Sequence, residues 1–194
     1  MVKRTMPQLA DFIADATGLS ESNLQGIARR LREAGHLSMA GRGPLSAAAA
    51  TSHDAALLLL VAACEVPPLH AVALGEALLA CDILTNRDDW PDDLPLAATA
   101  VDQAAALIDR RCPIYDMWVI MGGQLQMTFR VEDGGVLIFQ PAADDPANAK
   151  LVTVLGRRST TLMRRHEIQG AALRDIGDWL REGAIVAAEE DTAA

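Results

Sequence analysis

Residues 8–43 read QLADFIADATGLSESNLQGIARRLREAGHLSMAGRG, and the spacing of their apolar side chains decides how the front of the chain folds. Leu9, Phe12, Ile13 and Ala16 fall on one face of a helix. Thr5 stands where an N-cap belongs, with Pro7 early in the helix and Gln8 three residues after the cap. Gly18 ends that helix. Ser20 or Ser22 opens a second, in which Leu24, Ile27, Ala28 and Leu31 repeat at intervals of three and four, and Gly35 stops it. A short extended stretch over 36–40 and a Gly41-Arg42-Gly43-Pro44 turn follow. The expectation is a helix-turn-helix with a small basic wing, covering residues 1–45.

Working outward, Ser52 with Asp54 in its first turn opens an apolar helix through residue 65. Leu57, Leu58, Leu59 and Leu60 put apolar side chains on every side of it, so it demands cover all round. Pro67-Pro68 breaks it, and residues 69–84 and 95–111 read as further helices around an acidic loop at 86–93. Residues 46–111 are thus expected to be a helical core and a possible dimerisation segment. At Pro113 the period changes to two: 115–121, 124–131 and 135–140 are rich in Val, Ile, Trp and Phe with glycine-bearing turns between them, the pattern of an antiparallel β-meander. Trp118, Phe129 and Phe139 are expected in the core. Residues 142–149 read as a loop, 150–155 and 159–168 as two more strands, and 170–182 as a closing helix. The fold class expected is α+β, with residues 112–183 as the C-terminal part and 184–194 as a frayed tail.

Of 194 residues, 51 % are hydrophobic but only 4 % aromatic, so the core is built from Ala, Leu, Val and Ile. The net charge of −9 opposes nucleic-acid binding. Its distribution is uneven: residues 1–43 hold six Lys and Arg against four Asp and Glu, whereas residues 44–110 hold two against ten. A mildly positive front on an acidic chain hints at a nucleic-acid-facing end. Cys64, Cys81 and Cys112 have no metal-ligand spacing, and the first two lie in apolar helical patterns, as buried thiols do. No apolar run reaches membrane-spanning length and no signal peptide is recognisable, so a cytoplasmic protein is expected.

On the second helix, the outward positions expected to face DNA are Ser20, Ser22, Asn23, Gln25 and Gly26, with Arg29 and Arg30 one turn on and Arg42 at the loop tip. Asn and Gln pair bidentately with adenine, and Arg serves guanine or phosphate. Gly26 would let the helix approach the DNA backbone closely. The run Leu-Ala…Gly-Leu-Ser…Leu-Arg-Glu-Ala-Gly-His-Leu…Gly-Arg-Gly-Pro resembles prokaryotic winged helix-turn-helix proteins, of the type carried by alphaproteobacterial prophages and gene transfer elements. The resemblance implies a phage-type transcriptional regulator that reads the major groove with residues 20–34. Double-stranded DNA would be its partner, a homodimer its working form, and RNA polymerase or another protein a further contact. It also implies that the helix from Ser52, or a second subunit, closes the three-helix core.

Two other readings start from the same residues: a phage DNA-packaging small subunit, and a protein-interaction module or inhibitor that binds no DNA. The cluster Arg157, Arg158, Arg164, Arg165 and His166 suits either phosphate contacts or a charged sheet edge. No enzyme, metal or cofactor is expected, because His36, His53, His70 and His166 share no spacing with carboxylates or cysteines that suits a metal site or a triad.

Overall fold

The computed structural model describes residues 4–38, 49–84, 90–110, 114–122, 124–131, 135–155 and 164–192. Helices α1 (Met6–Thr17) and α2 (Glu21–Glu33) come first, then α3 (Ser52–Ala63), a 3-10 turn η1 (Pro68–His70) and α4 (Ala71–Leu79). Strand β1 (Cys81–Ile83) and helix α5 (Ala100–Arg110) precede β2 (Ile114–Gly122), β3 (Gln124–Val131) and β4 (Val136–Pro141). Helix α6 (Pro146–Leu155), strand β5 (Arg164–Gln169) and helix α7 (Gly170–Thr192) complete the order. The architecture is α+β.

Local chemistry sets the helix ends at the front. Gln8 Oε1 accepts from the Thr5 N–H at 2.8 Å, and Gly18 closes α1 in the left-handed region at φ 72°, donating to the Ala14 carbonyl. Ser20 Oγ accepts from the Asn23 N–H to start α2. Gly35 at φ 80° ends it in a Schellman arrangement, with the His36 N–H on the Leu31 carbonyl and the Gly35 N–H on that of Arg32.

Helix α3 is the centre. Every residue from Asp54 to Ala63 is buried, and α1, α2, α4, α5, α7 and β5 all pack on it. The cover its sequence demands therefore comes from the same chain. Leu57 to Leu60 are 0 % exposed within the single chain. Asp54 is the buried carboxylate at its front. One oxygen accepts from the Ser38 N–H at 2.7 Å, and the other accepts from the Thr51 N–H and hydroxyl at 2.9 and 2.7 Å. The Ala50 N–H meanwhile donates to the Arg4 carbonyl. The chain is thus tied down on both sides of residues 39–48, against α3 and against the start of α1.

The sheet is antiparallel in the order β1-β4-β3-β2-β5. Met117, Val119, Leu125, Met127, Phe129, Leu137, Phe139 and Ile168 form its core face, and Phe129 meets Phe139 edge-to-face at 5.5 Å. Trp118 is not among them. It stands between Met117 and Val119 in a strand of period two, so it points to the other face, where it is half-buried beneath the Arg130 guanidinium. Arg130 also pairs there with Asp116, and Gln126 bonds Thr128 and Gln140.

Several other expectations are corrected. Residues 150–155 are the second half of helix α6, not a strand, since Pro146 at the first position starts a helix that runs through the Val-rich segment. The expected helix over 69–84 divides into η1, α4 and the short strand β1, which pairs with β4. Helix α5 begins at Ala100 rather than at 95, because the Gln103 side chain holds the preceding turn, accepting from Ala97 N–H and donating to the Pro95 carbonyl. Helix α7 continues to Thr192, past the end expected near 182.

Helix α7 packs on α1, α3 and α5. Trp179 stacks on Phe12 at 5.1 Å, and Arg4 lies over the Trp179 ring at 4.6 Å and pairs with Glu182 at 3.7 Å. On its other side Gly177 meets α5 so closely that a Cβ would sit 2.3 Å from the Ile108 carbonyl oxygen. Gly177→Ala is therefore expected to destabilise by about 1–3 kcal/mol through overpacking against backbone, read as an earlier urea midpoint at unchanged slope. Asp54→Ala is expected to cost about 2–3 kcal/mol in the same assay, because it leaves the Ser38 and Thr51 donors without their acceptor.

Candidate nucleic-acid interface

The helix expected to read DNA is α2, and its surroundings decide which of its residues are presented. Leu24, Ile27, Ala28 and Leu31 are buried and fix its inner stripe, the last of them against Gly75 of α4. Glu21, Ser22, Arg29, Arg30, Arg32 and Glu33 are exposed, and Asn23 is half-buried.

The structure gives Gln25 and Gly26 other neighbours than DNA. Gln25 Nε2 donates to Asp11 Oδ1 at 2.6 Å and to the Pro7 carbonyl at 3.2 Å, so this amide ties α2 to α1. At Gly26 a Cβ would lie 2.8 Å from Pro68 Cγ. In this structure the glycine makes room for η1. Ser20 caps the helix and its hydroxyl lies 3.1 Å from that of Ser22. Both are exposed at the leading end of α2.

The arginines carry the positive charge, and one carboxylate restrains them. Arg29 Nε bonds Glu33 Oε1 at 2.8 Å, and Arg30 lies 4.0 Å from the other Glu33 oxygen. The hydrogen bond to Arg29 holds the Glu33 carboxyl below its ordinary pKa, while Glu33 raises that of Arg29. Both side chains are water-exposed, at 73 % for Arg29 and 47 % for Glu33, so the pair is worth little to stability and breaks readily for a stronger anion.

Arg42 lies outside the described residues, as do Arg157 and Arg158 of the second basic cluster. Arg164, Arg165 and His166 are on β5, which is an edge of the sheet.

Elsewhere the described residues offer little chemistry. Cys64 and Cys81 are buried thiols that donate to the Leu60 and Ala77 carbonyls, and burial pushes both upward in pKa, Cys81 to about 12. Cys112 lies outside the described residues. His53 and Asp102 stand 3.7 Å apart between α3 and α5, and His36 and Glu76 stand 3.8 Å apart with Lys150 on the same carboxylate. Among the described residues no group of three His, Cys, Asp or Glu could hold a metal ion, and no helix is long and apolar enough to cross a membrane. Sequence reasoning placed Asp54 in a helix's first turn but missed its bond to the Ser38 N–H, 16 residues earlier, and it missed Pro68, whose contact with Gly26 joins residues 42 apart in the chain.

Gln25→Ala is expected to lower stability by about 1 kcal/mol through the lost tie to Asp11, measurable as a shift in thermal midpoint. No protein-family model matches the chain, and neither does any curated protein or any solved structure.

Proposed function

We propose that the chain binds double-stranded DNA through α1 and α2 as a helix-turn-helix, as a phage-type regulator would. The observation that carries this reading is the solvent side of α2, where Arg29, Arg30 and Arg32 are exposed behind a serine-rich leading end. The bonds that Ser38 and Ala50 make, on either side of the segment that holds Arg42, support it. Gln25 and Gly26 leave the proposed contact set. Ser20, Ser22 and Asn23 remain for base edges, and Arg29, Arg30 and Arg42 for phosphates. Binding is then led by phosphate contacts, and sequence preference is modest.

Glu33 tunes this face. Its depressed carboxyl pKa means that it stays ionised, and paired to Arg29, until the pH falls below the ordinary carboxylate range. Protonation there frees both arginines. DNA affinity is thus expected to rise only once the pH falls below that range, and Glu33→Gln is expected to give the tighter binding at neutral pH and to flatten the pH profile.

The deciding experiment is binding to a labelled duplex across a salt series. Each phosphate contact contributes about 0.9 to the slope of log K against log salt, so Arg29→Ala with Arg30→Ala is expected to flatten it by about 2. A slope near zero for the wild type would remove the reading.

A protein-interaction module is the second reading. Leu69 is 72 % exposed on η1, beside α2, and an apolar side chain in that place suits a protein partner better than a phosphate backbone.

A further inference from the structure

We infer that η1 is an autoinhibitory strap, which holds α2 out of the DNA groove until it is lifted. The inference rests on the DNA-binding reading above. It starts from the position of Gly26 on α2. At about 100° per residue, Gly26 lies about 150° around the helix from the centre of the stripe formed by Leu24, Ile27, Ala28 and Leu31. That places it nearly opposite the core, on the side that a recognition helix must present. Pro68 is packed there, at a distance that no Cβ would tolerate.

Size makes the contact an obstacle. A helix with its side chains is about 10–12 Å across and the major groove is about 12 Å wide, so α2 fills the groove alone. A proline ring and the adjoining Leu69 add a layer for which there is no room. Either α2 stays at the groove's rim or η1 moves.

The strap is built to move. It spans Pro67 to His70 between two buried anchors, Val66 at 4 % exposure and Ala71 at 0 %. Its internal bonds are those of a single 3-10 turn, His70 N–H to the Pro67 carbonyl and Ala71 N–H to that of Pro68. No side chain of η1 itself is buried. The residue before the first anchor, Glu65, sits in the left-handed region at φ 49°, a conformation that costs a non-glycine residue about 1 kcal/mol. Lifting η1 gives up its packing on α2 and α4 but uncovers no buried side chain of its own.

Two variants of the full chain test the strap from opposite sides. Pro68→Ala removes the ring carbons that sit on Gly26, and Gly26→Ala drives them off. If the strap is open about one tenth of the time in the wild type, freeing it tightens apparent affinity for a labelled mixed-sequence duplex about tenfold at fixed salt. Hydrogen exchange at the amides of Leu69, His70 and Ala71 is expected to quicken in the wild-type DNA complex. Wild type and variants binding DNA equally well, with exchange at those amides unchanged, would overturn the strap and leave the DNA reading standing. No salt-dependent binding by any of the three proteins would remove the DNA reading, and the strap with it. Should Gly26→Ala lose cooperative melting, Pro68→Ala and the exchange measurement decide.

Discussion

Ten consecutive buried residues, Asp54 to Ala63, are the constraint around which the rest of the molecule is arranged. A helix with an apolar residue on every side cannot rest on a sheet or against one partner; it must be enclosed. Enclosure takes neighbours from both halves of the chain: α1 and α2 from the front, α4 and α5 from the middle, β5 and α7 from the back. The buried apolar side chains accordingly form one contiguous cluster from Met6 to Trp179. The α1–α2 pair is therefore not a detachable head on a separate body. Its inner surface is part of the wall around α3, and its outer surface is what remains for a partner.

The same constraint explains where polar groups were put to internal use. At the point where α3 enters the core, Asp54 satisfies three donors from the segments on either side of residues 39–48. A buried carboxylate without such partners would be costly, whereas one with three is a fixed point. Gln25 does comparable work between α1 and α2. Both residues belong to types favoured for recognising ligands, and both bond to their own chain.

How much of this was legible in the sequence follows from the range of the interactions involved. Helix boundaries at Gly18 and Gly35 depend on contacts within four or five residues, so they could be read directly, whereas the start of α2 was left between Ser20 and Ser22 until the Ser20 cap was seen. The apolar enclosure of α3 was readable as a demand, since four successive leucines admit no solvent face, but not which elements would meet it. The division of residues 69–84 was hidden because Cys81, Asp82 and Ile83 become a strand only by pairing with Pro141, Gln140 and Phe139. Residues 150–155 look β-prone in isolation, and a turn set by Pro146 overrides that preference. At the candidate interface the residue types were visible and their neighbours were not. Whether Gly26 opens a helix to DNA or to a proline 42 positions later is a fact of tertiary contact alone.

The interlock of Arg4 and Phe12 with Trp179 and Glu182 has a consequence for how the polypeptide is made. On the ribosome α1 emerges before α7, and the Trp179 surface it rests on is translated some 160 residues afterwards. Synthesis at about 5–20 residues per second leaves it waiting roughly ten to thirty seconds with an aromatic face uncovered. Long-range closures of this kind slow folding, and nascent chains that depend on them are natural clients of chaperones that shield exposed hydrophobic segments.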